Sequence, residues 1–286
     1  MAIDYHRLMA RPFADKVHAY TSRDTMLYAL GVGLGGDPLD QGQLGFVYEK
    51  NLKAVPSMAC VLGYPGFWAN QPDTGIDWRK VVHAEQSFVL HAPLPVAATV
   101  IGRNRVTAIH DRGEGRGAFL CQERQILDAA DGRLLATVSQ VNLLRGDGGF
   151  GGPASAPPPP HPIPDRAPDL SCDLPTAPQA ALLYRLNGDD NPLHADPDVA
   201  AIAGFSRPIL HGLCTLGVAC HAVLRLVCAY DPARLQGMRV RFTAPVLPGD
   251  TLRTNLWVDG DVVSLRCHAL ERDVLVLDAG RVDIMP

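Results

Sequence analysis

The chain has 286 residues, of which 47% are hydrophobic and 20% are charged, and its formal net charge is −4. This composition is typical of a globular protein with room for one large domain or two ordinary ones. The net negative charge excludes a global basic field that would recruit nucleic acid, so an anionic ligand would need a local cluster of cations.

The cysteines and the first residues of the chain indicate its compartment. There are seven cysteines, an odd number, and no two of them form a CxxC pair. Cysteines of this kind are typical of reduced thiols that fill the core of an intracellular protein. The opening residues, MAIDYHRLMARPF, contain no apolar run of the signal-peptide type, and no stretch reaches the roughly 20 apolar residues of a membrane span. We therefore expect a cytoplasmic protein without a membrane partner.

The first half of the chain contains strand-like segments but no pattern for a long helix. Between residues 55 and 76, three prolines and three glycines would interrupt a helix repeatedly. A sheet that lacks a central helix leaves space in which an apolar ligand can bind. The predicted strands are residues 86–91, 96–110, 117–129 and 134–144.

A segment rich in glycine and proline follows the last of these strands. Residues 145–168 read RGDGGFGGPASAPPPPHPIPDRAP, a composition that cannot pack a core and favours an extended strap. The strap separates an N-terminal module, residues 1–144, from a C-terminal module, residues 169–286.

The two modules resemble each other weakly. Residues 27–33 (LYALGVG) align with residues 183–189 (LYRLNGD), and residues 92–100 (APLPVAATV) align with residues 244–252 (APVLPGDTL). Two matches in the same order favour a duplicated module over chance similarity between short apolar runs.

The second module carries the strongest helical pattern. Residues 209–229 are apolar on most faces of a helix, which predicts a buried helix, with Pro208 at its start. Strand-like runs follow at residues 238–242, 251–258, 262–271 and 274–284. The predicted fold class is therefore α+β. The antiparallel sheet either wraps round the helix or packs it on one side.

A carboxylate, an amide, a proline and a histidine lie close together in one segment, residues 184–197, which read YRLNGDDNPLHADP. Pro192 disfavours a continuous helix through the preceding residue, so the loop is predicted to turn and bring Asp189 and His194 together. A carboxylate and an imidazole that meet in this way can share one water molecule and move its protons.

Two other interpretations of this loop remain open. Asp and Asn are common turn formers, so the loop can be a capping turn before a short helix at residues 198–203. A metal site with Asp189, His194 and His211 is also conceivable. Their spacing matches no common zinc pattern, and we expect no metal.

The unbroken run YRLNGDDNPLHADPDVAAIAGFSRPILHG, residues 184–212, resembles the hydratase motif of type 2 (R-specific) enoyl-CoA hydratases, the MaoC-like dehydratase family. The segment RDTMLYALGVG, residues 23–33, also resembles the first half of the two-module members. The resemblance implies two hot-dog modules, each a sheet wrapped round a central helix, with the N-terminal module lacking a long helix.

The resemblance also implies roles for single residues. Asp189 and His194 match the catalytic pair, and Asn191 matches a residue that helps to position the attacking water. Gly212 matches the glycine whose N–H binds the thioester oxygen, a role that suits the first turn of a helix, where N–H groups lack partners. We place His211 and Arg207 beside them as substrate-binding residues.

The reaction implied is reversible hydration of a trans-2-enoyl-CoA to a (3R)-3-hydroxyacyl-CoA, which needs no cofactor because water supplies the added atoms. The partner would be an acyl-CoA whose tail lies in the first module, where Gly33 and Pro38 replace the catalytic pair. A non-catalytic acyl-CoA binder and a hot-dog thioesterase are the alternatives. The two-module chains are expected to form a homodimer.

Overall fold

The computed structural model describes residues 3–285, and one antiparallel sheet of ten strands runs through it. The first half supplies β1 (Lys16–Tyr20), β2 (Val81–Leu90), β3 (Ala98–Asp111), β4 (Ala118–Asp128) and β5 (Leu134–Leu144). The second half supplies β6 (Leu170–Pro175), β7 (Leu235–Phe242), β8 (Thr251–Asp259), β9 (Val262–Ala269) and β10 (Val274–Ile284). All eight predicted strands are confirmed, with ends displaced by up to five residues.

The order of the strands in the second half mirrors the order in the first half about the centre of the sheet. That order is β1-β3-β4-β5-β2-β7-β10-β9-β8-β6, so the two halves meet where β2 pairs with β7. Each strand of the first half has a counterpart at the same distance from this joint in the second half. The topology therefore favours duplication, and it is the double hot-dog arrangement implied by the sequence motif.

Six α-helices accompany the sheet in residues 3–285. They are α1 (Tyr5–Met9), α2 (Ser22–Gly31), α3 (Gln41–Val47), α4 (Ala180–Tyr184), α5 (Pro197–Ile202) and α6 (Gly212–Leu226). The longest is α6, and eleven of its fifteen residues are buried. Among the strands of the second half, α6 contacts β7, which lies at the centre of the sheet, and also β8 and β6, which lie at its far edge. The sheet therefore curves round the helix, as in the first of the two predicted packings. No helix in the described range is long and apolar enough to cross a membrane.

The predicted start of α6 was wrong by three residues. Pro208 does not begin the helix, because the N–H of Leu210 donates to the carbonyl of Val246 at 2.8 Å and holds this segment extended. The helix begins at Gly212, and the N–H of Thr215 donates to the carbonyl of His211. It ends at Leu226.

In the first half, the position facing α6 holds a short 3₁₀ turn, Pro56–Cys60, instead of a long helix. All five of its residues are buried, and the turn contacts α6, β2 and β5. The longest helix of residues 3–144, α2, has ten residues. The expectation that the first module lacks a long central helix is confirmed.

The strap of residues 145–168 crosses from the first half to the second. At its start the Asp111 carboxylate accepts hydrogen bonds from the N–H groups of Gly149 and Gly151, at 2.8 and 2.9 Å. At its far end His161 Nε2 lies 2.7 Å from the hydroxyl of Ser264, on the face of β9 opposite the core residue Val263. The far end of the strap therefore lies over the outer face of the sheet.

Candidate active site

The loop between α4 and α5 turns sharply. Residues Arg185–Asn187 form one 3₁₀ turn, Gly188 takes a left-handed φ of 102°, and Pro192–His194 form a second 3₁₀ turn. Glycine adopts this φ without steric cost, and proline at the first position of a helical turn loses no hydrogen bond. The predicted turn is therefore present, and it folds the chain back on itself.

Capping explains part of this loop but not the positions of Asp189 and His194. The side chain of Asn191 accepts a hydrogen bond from Leu193 N at 3.1 Å, and Asp196 accepts one from Asp198 N at 2.9 Å. Both side chains are thus occupied as caps. Asp189 and His194 cap no helix, so the capping interpretation does not account for them.

Asp189, His194 and His211 converge at one point. One side-chain ligand atom from each lies within 4.8 Å of the others. His194 Nδ1 lies 2.9 Å from the carbonyl oxygen of Ile209, so Nδ1 carries the proton and Nε2 keeps a free lone pair. The ring stacks on His211 with centroids 3.8 Å apart. His211 Nε2 lies 3.1 Å from the main-chain oxygen of Asp189 and fixes the loop.

Burial tunes the protonation of this cluster. It raises the pKa of Asp189, and the charge of His194 and the N–H of Asn191 offset this only in part. Burial lowers the pKa of His194, and it lowers the pKa of His211 to about 3. The result is a carboxyl that takes a proton readily beside two neutral imidazoles.

The first turn of α6 lies beside the same point. Main-chain N–H groups in a first helical turn have no partner within the helix, and the helix dipole adds partial positive charge there. A Cβ at Gly212 would lie 3.2 Å from the ring of Phe242, so glycine allows this turn to approach β7 closely. The next residue, Leu213, lines a pocket that Asp189 also lines.

That pocket is built by both halves. The second half contributes Gly188, Asp189 and Leu213, and His194 adjoins Asp189 at its edge. Seven lining residues come from the first half: Cys60, Val61, Tyr64, His83, Gln86, Arg124 and Gln140. The loop that carries Asp189 therefore faces a pocket wall supplied mainly by the first half of the chain.

Arg207, which the sequence analysis placed beside the substrate, does not line this pocket, and neither do Arg239 and Arg241. Arg207 is exposed, and its guanidinium donates to the carbonyl of Pro248 at 3.4 Å. Arg239 and Arg241 both pair with Glu85 across the β2–β7 joint, at 2.5 and 2.6 Å. A contact of Arg207 with substrate remains a prediction.

Arg124 is one of the lining residues that sequence reasoning missed. It lies on β4 between Leu120 and Ile126, in the register that points into the core. A signal was present, because strand alternation places this arginine on the apolar face.

A metal ion fits this cluster poorly. An imidazole nitrogen binds a metal in the plane of its ring, whereas an ion between the stacked rings of His194 and His211 would lie outside both planes. The arrangement suits the sharing of a water molecule better than the binding of a cation.

Comparison with known proteins gives matches over both halves. Residues 18–146 match the MFE-2 hydratase 2 N-terminal domain, and residues 161–278 match the MaoC like domain. The enoyl-CoA hydratase ChsH3 of Mycobacterium tuberculosis is 38% identical over 292 residues, 100% of both chains. The peroxisomal enoyl-CoA hydratase 2 of Arabidopsis thaliana is 38% identical and covers 97% of this chain and 94% of its own. The crystal structure of a MaoC-like dehydratase from Phytophthora capsici matches with a TM-score of 0.86 at 31% identity, over 98% of each chain.

Proposed function

Because this chain belongs to the MaoC-like dehydratase family of hydro-lyases, we propose that it adds water reversibly to a trans-2-enoyl-CoA and forms a (3R)-3-hydroxyacyl-CoA. The observation that carries the proposal is the meeting of Asp189 and His194 within 4.8 Å, with Asp189 lining a pocket beside the first turn of α6.

The thioester prepares the substrate for attack. It withdraws electrons from the double bond, so C3 accepts the oxygen of a water molecule as the electron pair moves to the thioester oxygen. An N–H group at the start of α6, that of Gly212, would donate to this oxygen as it gains negative charge. One such donor typically contributes about 3–4 kcal/mol to the transition state.

His194 and Asp189 divide the proton transfers. The free Nε2 of His194 takes a proton from water while the oxygen bonds to C3, and the carboxyl of Asp189 gives a proton to C2. Passage of the proton from His194 back to Asp189 then restores the starting state. The directions of the two pKa shifts support this assignment, because burial favours a protonated Asp189 and a neutral His194.

The remaining residues have supporting roles. The side chain of Asn191 caps the turn that carries His194, so it would position the water through the shape of the loop. The first module would hold the acyl tail, since most of the pocket wall belongs to it. Neither a metal nor another cofactor takes part in this scheme, so dialysis against EDTA should leave the rate unchanged.

Incubation with crotonyl-CoA tests the proposed reaction. Hydration removes the enoyl absorbance without releasing thiol, and chiral chromatography of the product should show the (3R) enantiomer. Release of free thiol would indicate a thioesterase, and binding without any change of absorbance would indicate an acyl-CoA binder. The (3S) product would contradict the stereochemistry but not the hydration.

The quaternary structure proposed is a homodimer of two-module chains. The sheet ends in two edge strands, β1 and β6, which each have one strand neighbour in the described chain. Light scattering on the purified protein would give the mass directly, and a monomer would contradict the dimer.

A further inference from the structure

Arg124 is the only arginine that the fold buries among residues 3–285, with 7% of its surface exposed. It lines the same pocket as Asp189. Its Nη2 donates to the carbonyl oxygen of Cys60 at 2.6 Å, and its guanidinium lies over the ring of Tyr64, 5.6 Å from the centroid. Its Nε is buried and has no hydrogen-bond partner in the described structure.

The charge of Arg124 has no counter-charge in the described part of the chain. No carboxylate there comes within 4.0 Å of its guanidinium. By contrast, Arg239 and Arg241 share Glu85 although both are more exposed. Burial lowers the pKa of Arg124 to about 10, so the side chain stays charged at neutral pH. A buried charge is costly unless it is paired, which marks this position as one that awaits an anion.

The surroundings of Arg124 are polar. Gln86 and Gln140 line the same pocket, and the phenol of Tyr64 borders it. A second cavity shares Tyr64, Arg124 and Gln140, and its other lining residues are Pro65, Asn104, Gln122, Glu123 and Val138. An aliphatic tail in this space would lie against amides and a guanidinium and accept no hydrogen bonds from them. A tail that ends in an anionic group would accept those hydrogen bonds.

On the premise of the proposed hydration, we propose that the acyl group of the natural substrate carries a carboxylate that pairs with Arg124. The substrate would thus be the thioester of an unsaturated dicarboxylic acid. Arg124 would fix the far end of the acyl group while the α6 end of the pocket holds the thioester. The planar guanidinium can bind the two carboxylate oxygens with two N–H groups.

A CoA phosphate is the other anion that could meet this guanidinium. Phosphates are common to every CoA thioester, so a contact with them would affect carboxylated and neutral acyl groups equally. This difference separates the two sources of negative charge.

Binding of saturated thioesters tests the proposal without relying on catalysis. Glutaryl-CoA and pentanoyl-CoA differ only by a carboxylate in place of the terminal methyl group, and neither can be hydrated. We expect calorimetry to show that the wild-type protein binds glutaryl-CoA at least about 10-fold more tightly than pentanoyl-CoA. Arg124→Met should weaken the binding of glutaryl-CoA on the order of 100-fold more than the binding of pentanoyl-CoA. Arg124→Lys should recover part of this lost affinity.

Matched enoyl substrates extend the test to the reaction. Glutaconyl-CoA should have a higher kcat/KM than trans-2-pentenoyl-CoA, and Arg124→Met should reverse this ratio. Arg133→Met, which removes an exposed arginine of the same module, should leave the ratio unchanged.

Equal or tighter binding of pentanoyl-CoA by the wild-type protein would overturn the proposal, as would an equal loss for both thioesters in Arg124→Met. The wild-type comparison decides the matter even if the variant fails to fold. Failure of hydration with a retained preference for glutaryl-CoA would refute the proposed function and leave the carboxylate site standing.

Discussion

The two halves of the molecule share a strand order but differ at the positions that we propose carry the chemistry. The second half carries Asp189 and His194, while the aligned positions of the first half hold Gly33 and Pro38. Gly33 has a φ of 85°, a conformation that an aspartate would adopt only with strain. The first half instead contributes most of the pocket wall. In the proposed mechanism, one half thus supplies the groups that transfer protons, and the other half supplies most of the pocket in front of them.

The largest effect should follow from removing the pair that distinguishes the halves. Asp189→Asn and His194→Gln should each lower kcat about 10²–10⁴-fold, because each removes a group that transfers a proton. Steady-state hydration of an enoyl-CoA measures the loss. Asp190→Asn, an exposed neighbour on the same loop, is the matched control and should stay near the wild-type rate. Full activity in both variants would show that the chemistry lies elsewhere.

The packing of α6 against the first half provides the next test. A Cβ at Gly217 would lie 2.4 Å from Val32 Cγ1, so Gly217→Ala should lower the free energy of unfolding by about 1–3 kcal/mol. Gly45→Ala in α3 is the control, since its Cβ would meet only Lys53, at 3.9 Å. This control should be neutral or slightly stabilising because alanine favours helix. If both variants were equally stable in urea unfolding, the two halves would be less tightly packed around Gly217 than the structure shows.

A substitution at the β2–β7 pairing, in the centre of the sheet, should have a smaller effect on the free energy of unfolding. Glu85→Gln removes the carboxylate that pairs with Arg239 and Arg241 across β2 and β7. Because both guanidinium groups are about a third or more exposed, water will screen them, and we expect a loss of about 1–2 kcal/mol. Chemical denaturation would measure the change, and an unaltered midpoint would show that β2 and β7 are held by the ladder and core alone.

The smallest expected effect is a displacement of the pH profile. His194 must be neutral to accept a proton from water, and burial lowers its pKa below the usual 6.5. The fall of kcat/KM on the acid side should therefore have its midpoint below pH 6.5. The profile belongs to the Asp189–His194 pair as a unit. A midpoint above pH 6.5 would contradict the neutral-imidazole scheme.

Local patterns in the sequence predicted the features that depend on residues close together in the chain: a helix, the strands and a turn. The apolar residues of 209–229 predicted α6, and strand-like runs at residues 86–91 and 238–242 predicted the strands on both sides of the β2–β7 pairing. Pro192 predicted the turn that brings Asp189 to His194. These features depend on neighbouring residues, so they could be derived before any long-range contact was known.

Features that depend on distant residues could not be derived in this way. The start of α6 is set by the hydrogen bond of Leu210 to Val246, and the partners of Glu85 are set by the register of β2 against β7. The position of Arg124 beside Asp189 requires both modules to be in place. Alternation along β4 was enough to show that Arg124 points inward, but not which pocket it meets.

A crystal structure of the Asp189→Asn variant with a trans-2-enoyl-CoA bound would test the division between the halves most directly. We predict C2 beside position 189 and C3 on the side of His194, with the thioester oxygen within hydrogen-bond distance of the Gly212 N–H. A thioester bound instead beside Gly33, or outside the pocket, would contradict the account.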